Sequence, residues 1–272
     1  MPNLEFPAKD QLTICFAHTA YPLENSFAQR NTGIRHFQVW ELEKLFLRIE
    51  EADVLVVSGF WRDDLLGNAP RLRFIQSIGA GYDQFPLDEM RRRGIRLASA
   101  RGVNQNAVSE HAMAMILSLA RQLHTGRDNQ QRHHWRGMIS DRSRREDELS
   151  GKTLLIVGMG GIGSRLAQLA KAFEMRVIAT KRNPATAVGP ADEVMTPDRL
   201  HELLPRADYV VLTCPLTPDT TNLIDAGALA EYLATMALFN GFTVTVCDPR
   251  EEYMGSWSVP QVNTVTDMPD DA

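Results

Sequence analysis

The chain has 272 residues, enough for about two domains with sizeable cores. Hydrophobic residues make up 44% and charged residues 23%, a soluble-globular balance that excludes wholesale disorder or a fibrous repeat. With 29 Lys and Arg against 34 Asp and Glu, the net charge of -5 gives no global attraction for nucleic acid or an anionic membrane, so a small-molecule partner is expected.

The longest apolar runs, residues 54–57 and 154–157, fall far short of the ~20 residues that a bilayer crossing requires, and they suit buried strands. Residues 1–7 lack a basic stretch followed by an apolar one, so no secretory signal is expected and the cytoplasm is the expected location. Cys15, Cys214 and Cys247 are too scattered for a disulfide framework or a zinc site.

Short β-rich runs alternate with helical-period segments, the pattern of parallel α/β layers. Strands are predicted at 12–16, 54–57, 74–77 and 95–97, with helices at 41–51 and 87–93. A long helix is expected over 107–122, buried through Ala112, Met115, Ile116 and Leu119 or crossing between domains. Residues 125–148 read as a solvated helix, arm or connector. The adjacent His133 and His134 do not share a helix face and lack an acidic or thiol partner at ligand spacing, so no metal is expected there.

A second α/β unit follows, with a strand at 154–157, a turn at 158–163, a helix at 164–173 and further strands at 176–179 and 209–213. Gly158-Met159-Gly160-Gly161-Ile162-Gly163 is a G-x-G-x-x-G run between an apolar strand and a helix, the setting in which it binds a dinucleotide. Gly158 permits the tight turn, Gly160 admits the pyrophosphate, Gly163 lets helix and strand approach, Gly161 and Ile162 complete the cofactor-binding run, and the N-terminus of the helix that follows stabilises the phosphates. At the end of the next strand, where an acid would receive the ribose 2′-OH of NAD, stand Thr180-Lys181-Arg182-Asn183. Lys181 and Arg182 favour the 2′-phosphate of NADP, with NAD as the alternative if they are ordinary solvated charges.

Four segments in order, Ser77-Ile78-Gly79-Ala80-Gly81-Tyr82-Asp83, residues 102–112, residues 158–163 and Thr213-Cys214-Pro215-Leu216-Thr217-Pro218-Asp219-Thr220-Thr221, resemble the D-isomer-specific 2-hydroxyacid dehydrogenase family up to about residue 230. The resemblance implies a flavodoxin-like substrate-binding domain over 1–102, then a Rossmann NAD(P)-binding domain over 103–250 that is truncated or altered at its C-terminal end, and a tail over 251–272. It implies that Gly79, Ala80 and Gly81 present backbone N–H groups to a substrate carboxylate. It also places Asn104 and Val108 near the nicotinamide, with Cys214, Pro215 and Thr221 along the cofactor. The implied activity is reduction of a small 2-oxo acid, glyoxylate- or hydroxypyruvate-like, or oxidation of the 2-hydroxy acid, by a homodimer that uses the 122–137 arm.

The chain departs from that family late. The family follows its cofactor half with an Arg, a Glu and a His, yet no histidine follows His201 here. Residues 231–271 resemble instead the dinucleotide-fold region of xanthine dehydrogenase accessory proteins, with a helix expected over 229–239, a strand over 243–247 continuing the sheet, and an Asp248-Pro249-Arg250 end. Arg250 is the candidate for the substrate arginine, whereas the family's Glu and His have no counterpart. The alternative function is therefore a catalytically impaired dinucleotide-binding or accessory protein.

Overall fold

The computed structural model describes residues 6–229 and, as backbone, the strands Thr243–Thr245 and Ser256–Ser258. Two compact units divide the chain, Met1–Val103 and Asn104–Ala272.

The first unit is a five-stranded parallel sheet: β1 (Thr13–Ala17), β2 (Arg35–Val39), β3 (Val54–Val57), β4 (Phe74–Ser77) and β5 (Arg96–Ala98), in the order β2-β1-β3-β4-β5. That is the flavodoxin-like order, with its reversal between β1 and β3. Helices α1 (Leu23–Ala28), α2 (Leu42–Arg48) and α3 (Leu87–Arg93) intervene. β1 is buried along its whole length, as a central strand covered on both faces must be. α3 carries Asp88 and Glu89 in its first turn and Arg91, Arg92 and Arg93 in its last, and it stops at Gly94, whose φ of 72° few other residues adopt. The core gathers Leu45, Ile49, Leu55, Leu65, Ile75 and Met90.

The second unit holds a four-stranded parallel sheet of β6 (Thr153–Val157), β7 (Arg176–Thr180), β8 (Glu193–Met195) and β9 (Tyr209–Leu212), in the order β8-β7-β6-β9. Helix α4 (Gln105–Ala120) packs against α6 (Gly161–Ala172), while α5 (Leu123–Gln131) buries none of its residues. Alternation along β6 divides the core: Leu154 and Ile156 meet Ile116, Leu166 and Ala170, whereas Leu155 and Val157 meet Leu200 and Leu203, the latter on the short α7 (Leu200–Leu203).

A carboxylate clasp recurs at the amino ends of these sheets. Asp53 Oδ2 accepts the Thr13 N–H at 2.9 Å, Asp208 Oδ2 accepts the Thr153 N–H at 2.7 Å and Asp192 Oδ2 accepts the Val177 N–H at 2.7 Å. Each aspartate's own N–H returns to the carbonyl of the same partner. An amide at the start of a strand, the first in β1 and β6 and the second in β7, is thereby satisfied.

Several expectations shift. β1 and β5 each sit one residue later than predicted, and β2, β8 and α1 were not foreseen. α4 starts earlier, at Gln105, and buries Met113 where Met115 was expected, because the buried stripe runs through Ser109, Ala112, Met113, Ile116 and Ala120. α6 begins at Gly161, so the last glycines of the turn already form its first helical turn. β10 (Thr243–Thr245) pairs antiparallel with β11 (Ser256–Ser258) in a separate two-stranded sheet, where a further parallel strand was expected. The expected helix over 229–239 falls almost wholly outside the described residues.

Replacing Asp53, only 2% exposed, by alanine leaves the buried Thr13 amide unpaired and frees Arg71, which now holds the carboxylate at 2.8 Å. Asp53→Ala is expected to cost about 1–3 kcal/mol, read as a lower urea midpoint, with Asp53→Asn losing less because one acceptor oxygen remains.

Candidate functional site

The carboxyl edge of the second sheet is built around the turn from β6 into α6. Gly158 has φ of 107°, and a Cβ there would lie 2.7 Å from the Cys214 nitrogen and 2.8 Å from its Cα. A Cβ on Gly163 would meet the Gly158 carbonyl oxygen at 2.5 Å and Ile156 Cγ2 at 2.9 Å. Both positions exclude any side chain. Gly160 differs, since a Cβ there meets nothing within 4 Å, so the space over it is open. Gly161 lies under the side chain of Gln105, whose Oε1 would be 2.8 Å from a Cβ.

The turn is pinned from three sides. The N–H groups of Gly158 and Met159 both donate to the Thr180 carbonyl, at 3.2 and 2.8 Å. The Thr213 hydroxyl donates to the Gly158 carbonyl at 2.6 Å, and the Met159 side chain is buried. The first N–H of α6 with an acceptor of its own helix is that of Ser164, bonded to the Gly160 carbonyl at 2.9 Å. The amides of Gly161, Ile162 and Gly163 precede it and face the open space with the positive end of the helix dipole. A phosphate fits that cradle, which is both uncovered and lined by donors.

Beyond β7, Lys181 donates its N–H to the Met195 carbonyl and its Nζ to the Thr186 carbonyl, at 2.8 and 2.7 Å. Arg182 is exposed, and among the described residues neither cation forms an ion pair. The acids at the start of β8 lie at the opposite, amino edge of this sheet and are engaged there. The Val177 N–H and then Lys171 hold Asp192 below the usual carboxylate range, and Arg206 and Arg176 do the same for Glu193.

Beyond β9, Cys214 is half-buried, and burial pushes its thiol up, against a thiolate role. Pro215 is exposed, with its carbonyl accepting the Thr220 hydroxyl at 2.7 Å. The Thr221 hydroxyl donates to the Thr217 carbonyl at 2.8 Å, closing a turn on the surface. Asn104 caps α4 and accepts the Val108 N–H at 2.9 Å; both are half-buried.

In the first unit, Gly79, Ala80 and Gly81 form a half-buried bend after β4. The Gly79 carbonyl accepts the Ala100 N–H at 3.0 Å and the Ser77 hydroxyl at 3.3 Å, while the amides of Ala80 and Gly81 have no acceptor among the described residues. A cavity of ≈ 600 Å³ lies instead at the amino ends of β1 and β2. Its cations are already engaged: Arg48 pairs with Glu51 and lies 3.7 Å over the Phe37 ring, and Arg35 donates to the Gln11 carbonyl.

The structure thus gathers the glycine turn, Lys181, Arg182, Cys214 and Pro215 at one sheet edge, with the start of α4 reaching it through Gln105. Arg250, Asp248 and Cys247 lie outside the described residues. Sequence reasoning assigned no role to the Thr213 hydroxyl or to Gln105; the signal for both was their place within the segments that resemble the family.

Residues 113–243 match the family model described as D-isomer specific 2-hydroxyacid dehydrogenase, NAD binding domain. The chain is 34% identical to a glyoxylate reductase of Pyrococcus furiosus over 216 residues, covering 75% of this chain and 63% of that protein. It is also 34% identical to a D-3-phosphoglycerate dehydrogenase of Mycobacterium bovis over 202 residues, covering 73% of this chain and 37% of the relative. The chain therefore spans less than two thirds of the length of these relatives. A solved D-isomer specific 2-hydroxyacid dehydrogenase family protein from Aeromonas salmonicida superposes with a TM-score of 0.70 at 28% identity, over 79% of this chain and 68% of that one. The second unit carries the D-isomer specific 2-hydroxyacid dehydrogenase NAD-binding domain over residues 113–243.

Proposed function

We propose that the chain is an NAD(P)-dependent oxidoreductase of the D-2-hydroxyacid dehydrogenase type, acting on a small 2-oxo acid or its 2-hydroxy counterpart. The observation that carries this reading is the cradle at α6: open space over Gly160 beside three helix-end amides, on a chain similar to a glyoxylate reductase. In it, the amides of Gly161, Ile162 and Gly163 bind the pyrophosphate, and Gly158 and Gly160 keep side chains out of its way. Cys214, Pro215 and Thr221 border the cofactor, and Asn104 and Val108 lie toward the nicotinamide. A bound nicotinamide supplies or accepts the hydride. The free amides of Ala80 and Gly81 hold the substrate carboxylate, with Gly79 shaping the bend and Arg250 as a further anchor.

NADP is the favoured cofactor. Among the described residues Lys181 and Arg182 are cations without carboxylate partners, at the strand end where an acid would suit NAD. Lys181 is braced by the Thr186 carbonyl, which leaves the exposed Arg182 as the more adaptable grip on a 2′-phosphate. We further propose a homodimer that uses the 122–137 arm, where α5 buries nothing and Leu123 and Trp135 are 56% and 96% exposed.

A second reading is a dinucleotide-binding accessory protein without turnover, in which the open cradle over Gly160 holds the cofactor alone. Titration of the full chain with NADPH by fluorescence, followed by glyoxylate or hydroxypyruvate at the nicotinamide absorbance band, separates the two. Turnover supports the dehydrogenase, and tight binding without turnover supports the accessory protein. Absence of NADPH and NADH binding overturns both.

Two substitutions refine the test. Gly160→Ala is expected to fold normally, because its Cβ meets nothing, yet to weaken NADPH binding roughly tenfold or more by filling the phosphate space; Gly163→Ala is expected to lower the melting midpoint outright. Arg182→Ala is expected to reduce the preference for NADPH over NADH by about tenfold, measured as the ratio of the two dissociation constants, while leaving NADH binding intact.

A further inference from the structure

The loops beyond the carboxyl ends of the first sheet place His18 after β1, Trp40 after β2, residues 58–60 after β3 and residues 79–81 after β4. The strand order reverses between β1 and β3, and open α/β sheets take their ligands beyond the carboxyl ends at such a reversal. Ala17 and Val57 are the last paired residues of these two strands, so His18 and Ser58 stand directly at the reversal.

His18 is a buried polar residue, 5% exposed, and its ring is fixed. Tyr21 stacks on it at 4.2 Å between centroids and 7° between planes. Its Nδ1 accepts the N–H of Ala20 at 2.9 Å and that of Tyr21 at 2.8 Å. A ring nitrogen that accepts two N–H groups carries no hydrogen, so the neutral ring bears its proton on Nε2. Among the described residues no protein group accepts from Nε2, and Nε2 is not one of the fully buried side-chain atoms left without a partner, so it retains access to the surface where a ligand can reach it. The same edge is rich in aromatic surface. Tyr21, Trp40 and Tyr82 are 56%, 47% and 47% exposed, whereas Trp61 and Phe85 inside the same unit are 6% and 4% exposed.

We propose that His18 is a ligand-binding residue whose Nε2–H donates a hydrogen bond to an oxygen of a small 2-oxo acid held at the carboxyl edge of the first sheet. The proposal rests on the 2-oxo acid reading above and adds to it a residue from β1, on the far side of β3 from the 79–81 bend. β1 and β4 are two strand spacings apart, about 10 Å, a gap that an imidazole and a few-atom acid together span. The ring serves as a fixed neutral donor: the β1–α1 loop sets its tautomer, Tyr21 sets its plane, and the acid's oxygen completes its hydrogen bonding.

His18→Asn separates the structural role from the binding role. Asparagine keeps an acceptor oxygen near the Nδ1 position for the Ala20 and Tyr21 amides but has no atom at Nε2. Calorimetric titration of the full chain with oxamate, with and without NADPH, is expected to show an unchanged melting midpoint, unchanged NADPH affinity and oxamate binding weakened roughly tenfold or more in the variant. Equal oxamate affinity in the native and variant chains overturns the proposal and leaves the 2-oxo acid reading standing. A native chain that binds NADPH but no oxamate overturns that reading and this proposal with it. Should His18→Asn lower the melting midpoint, long-range proton–nitrogen NMR of the native chain decides: oxamate must shift the His18 Nε2 resonance, and an unmoved resonance overturns the proposal.

Discussion

A Cβ on Gly158 would stand 2.7 Å from the backbone nitrogen of Cys214, and the whole carboxyl edge of the second sheet depends on its absence. Because no side chain intervenes, the residue after β6 lies directly against the second residue beyond β9, and the chain can turn at a φ of 107° into α6. Gly163 repeats the constraint one helical turn later, where a Cβ would collide with the Gly158 carbonyl. The Thr213 hydroxyl and the Thr180 carbonyl then fix the turn by hydrogen bonds. The helix N-terminus is thereby held open and donor-lined at one place, beside Lys181 and Arg182. Of the four glycines of this turn, Gly160 alone would place a Cβ in open space.

The opposite edges of the sheets are held by a different device. Asp53, Asp208 and Asp192 each clasp an amide at the start of a neighbouring parallel strand, so the amino edges are closed by carboxylates while the carboxyl edges are left to the loops. Those loops hold the glycine turn and two cations in one unit, and a fixed imidazole and the 79–81 bend in the other. The division follows from parallel-sheet construction, in which every strand delivers its C-terminal residue to the same edge.

Much of this was legible in the sequence because strong local signals coincide with the structure. Val54–Val57, Phe74–Ser77 and the α3 helix, with its acids first and its cations last, fall where the pattern puts them. The glycine spacing announced the turn, since its requirements are local. β2 escaped notice because its residues, Arg35 to Val39, are mostly half-exposed and polar, as an edge strand permits. Met113 in place of Met115 is a question of phase on a helix whose apolar residues surround it too evenly to fix one face. The Thr213 hydroxyl bond and the Gln105 contact depend on residues brought together by tertiary packing, and the clamp on His18, though made by Ala20 and Tyr21 of the same loop, depends on a loop conformation that periodicity and spacing do not encode. The pairing of β10 with β11 likewise joins segments whose partner no local pattern specifies.

The central claim is that the β6–α6 turn binds a nicotinamide dinucleotide through its helix-end amides. Hydrogen–deuterium exchange of the native full chain, followed with and without NADPH, tests it at the residues concerned. Slowed exchange at residues 159–164, accompanied by slowing at 181–182, is the expected result. Exchange at 159–164 that is unchanged by saturating NADPH and NADH would contradict it.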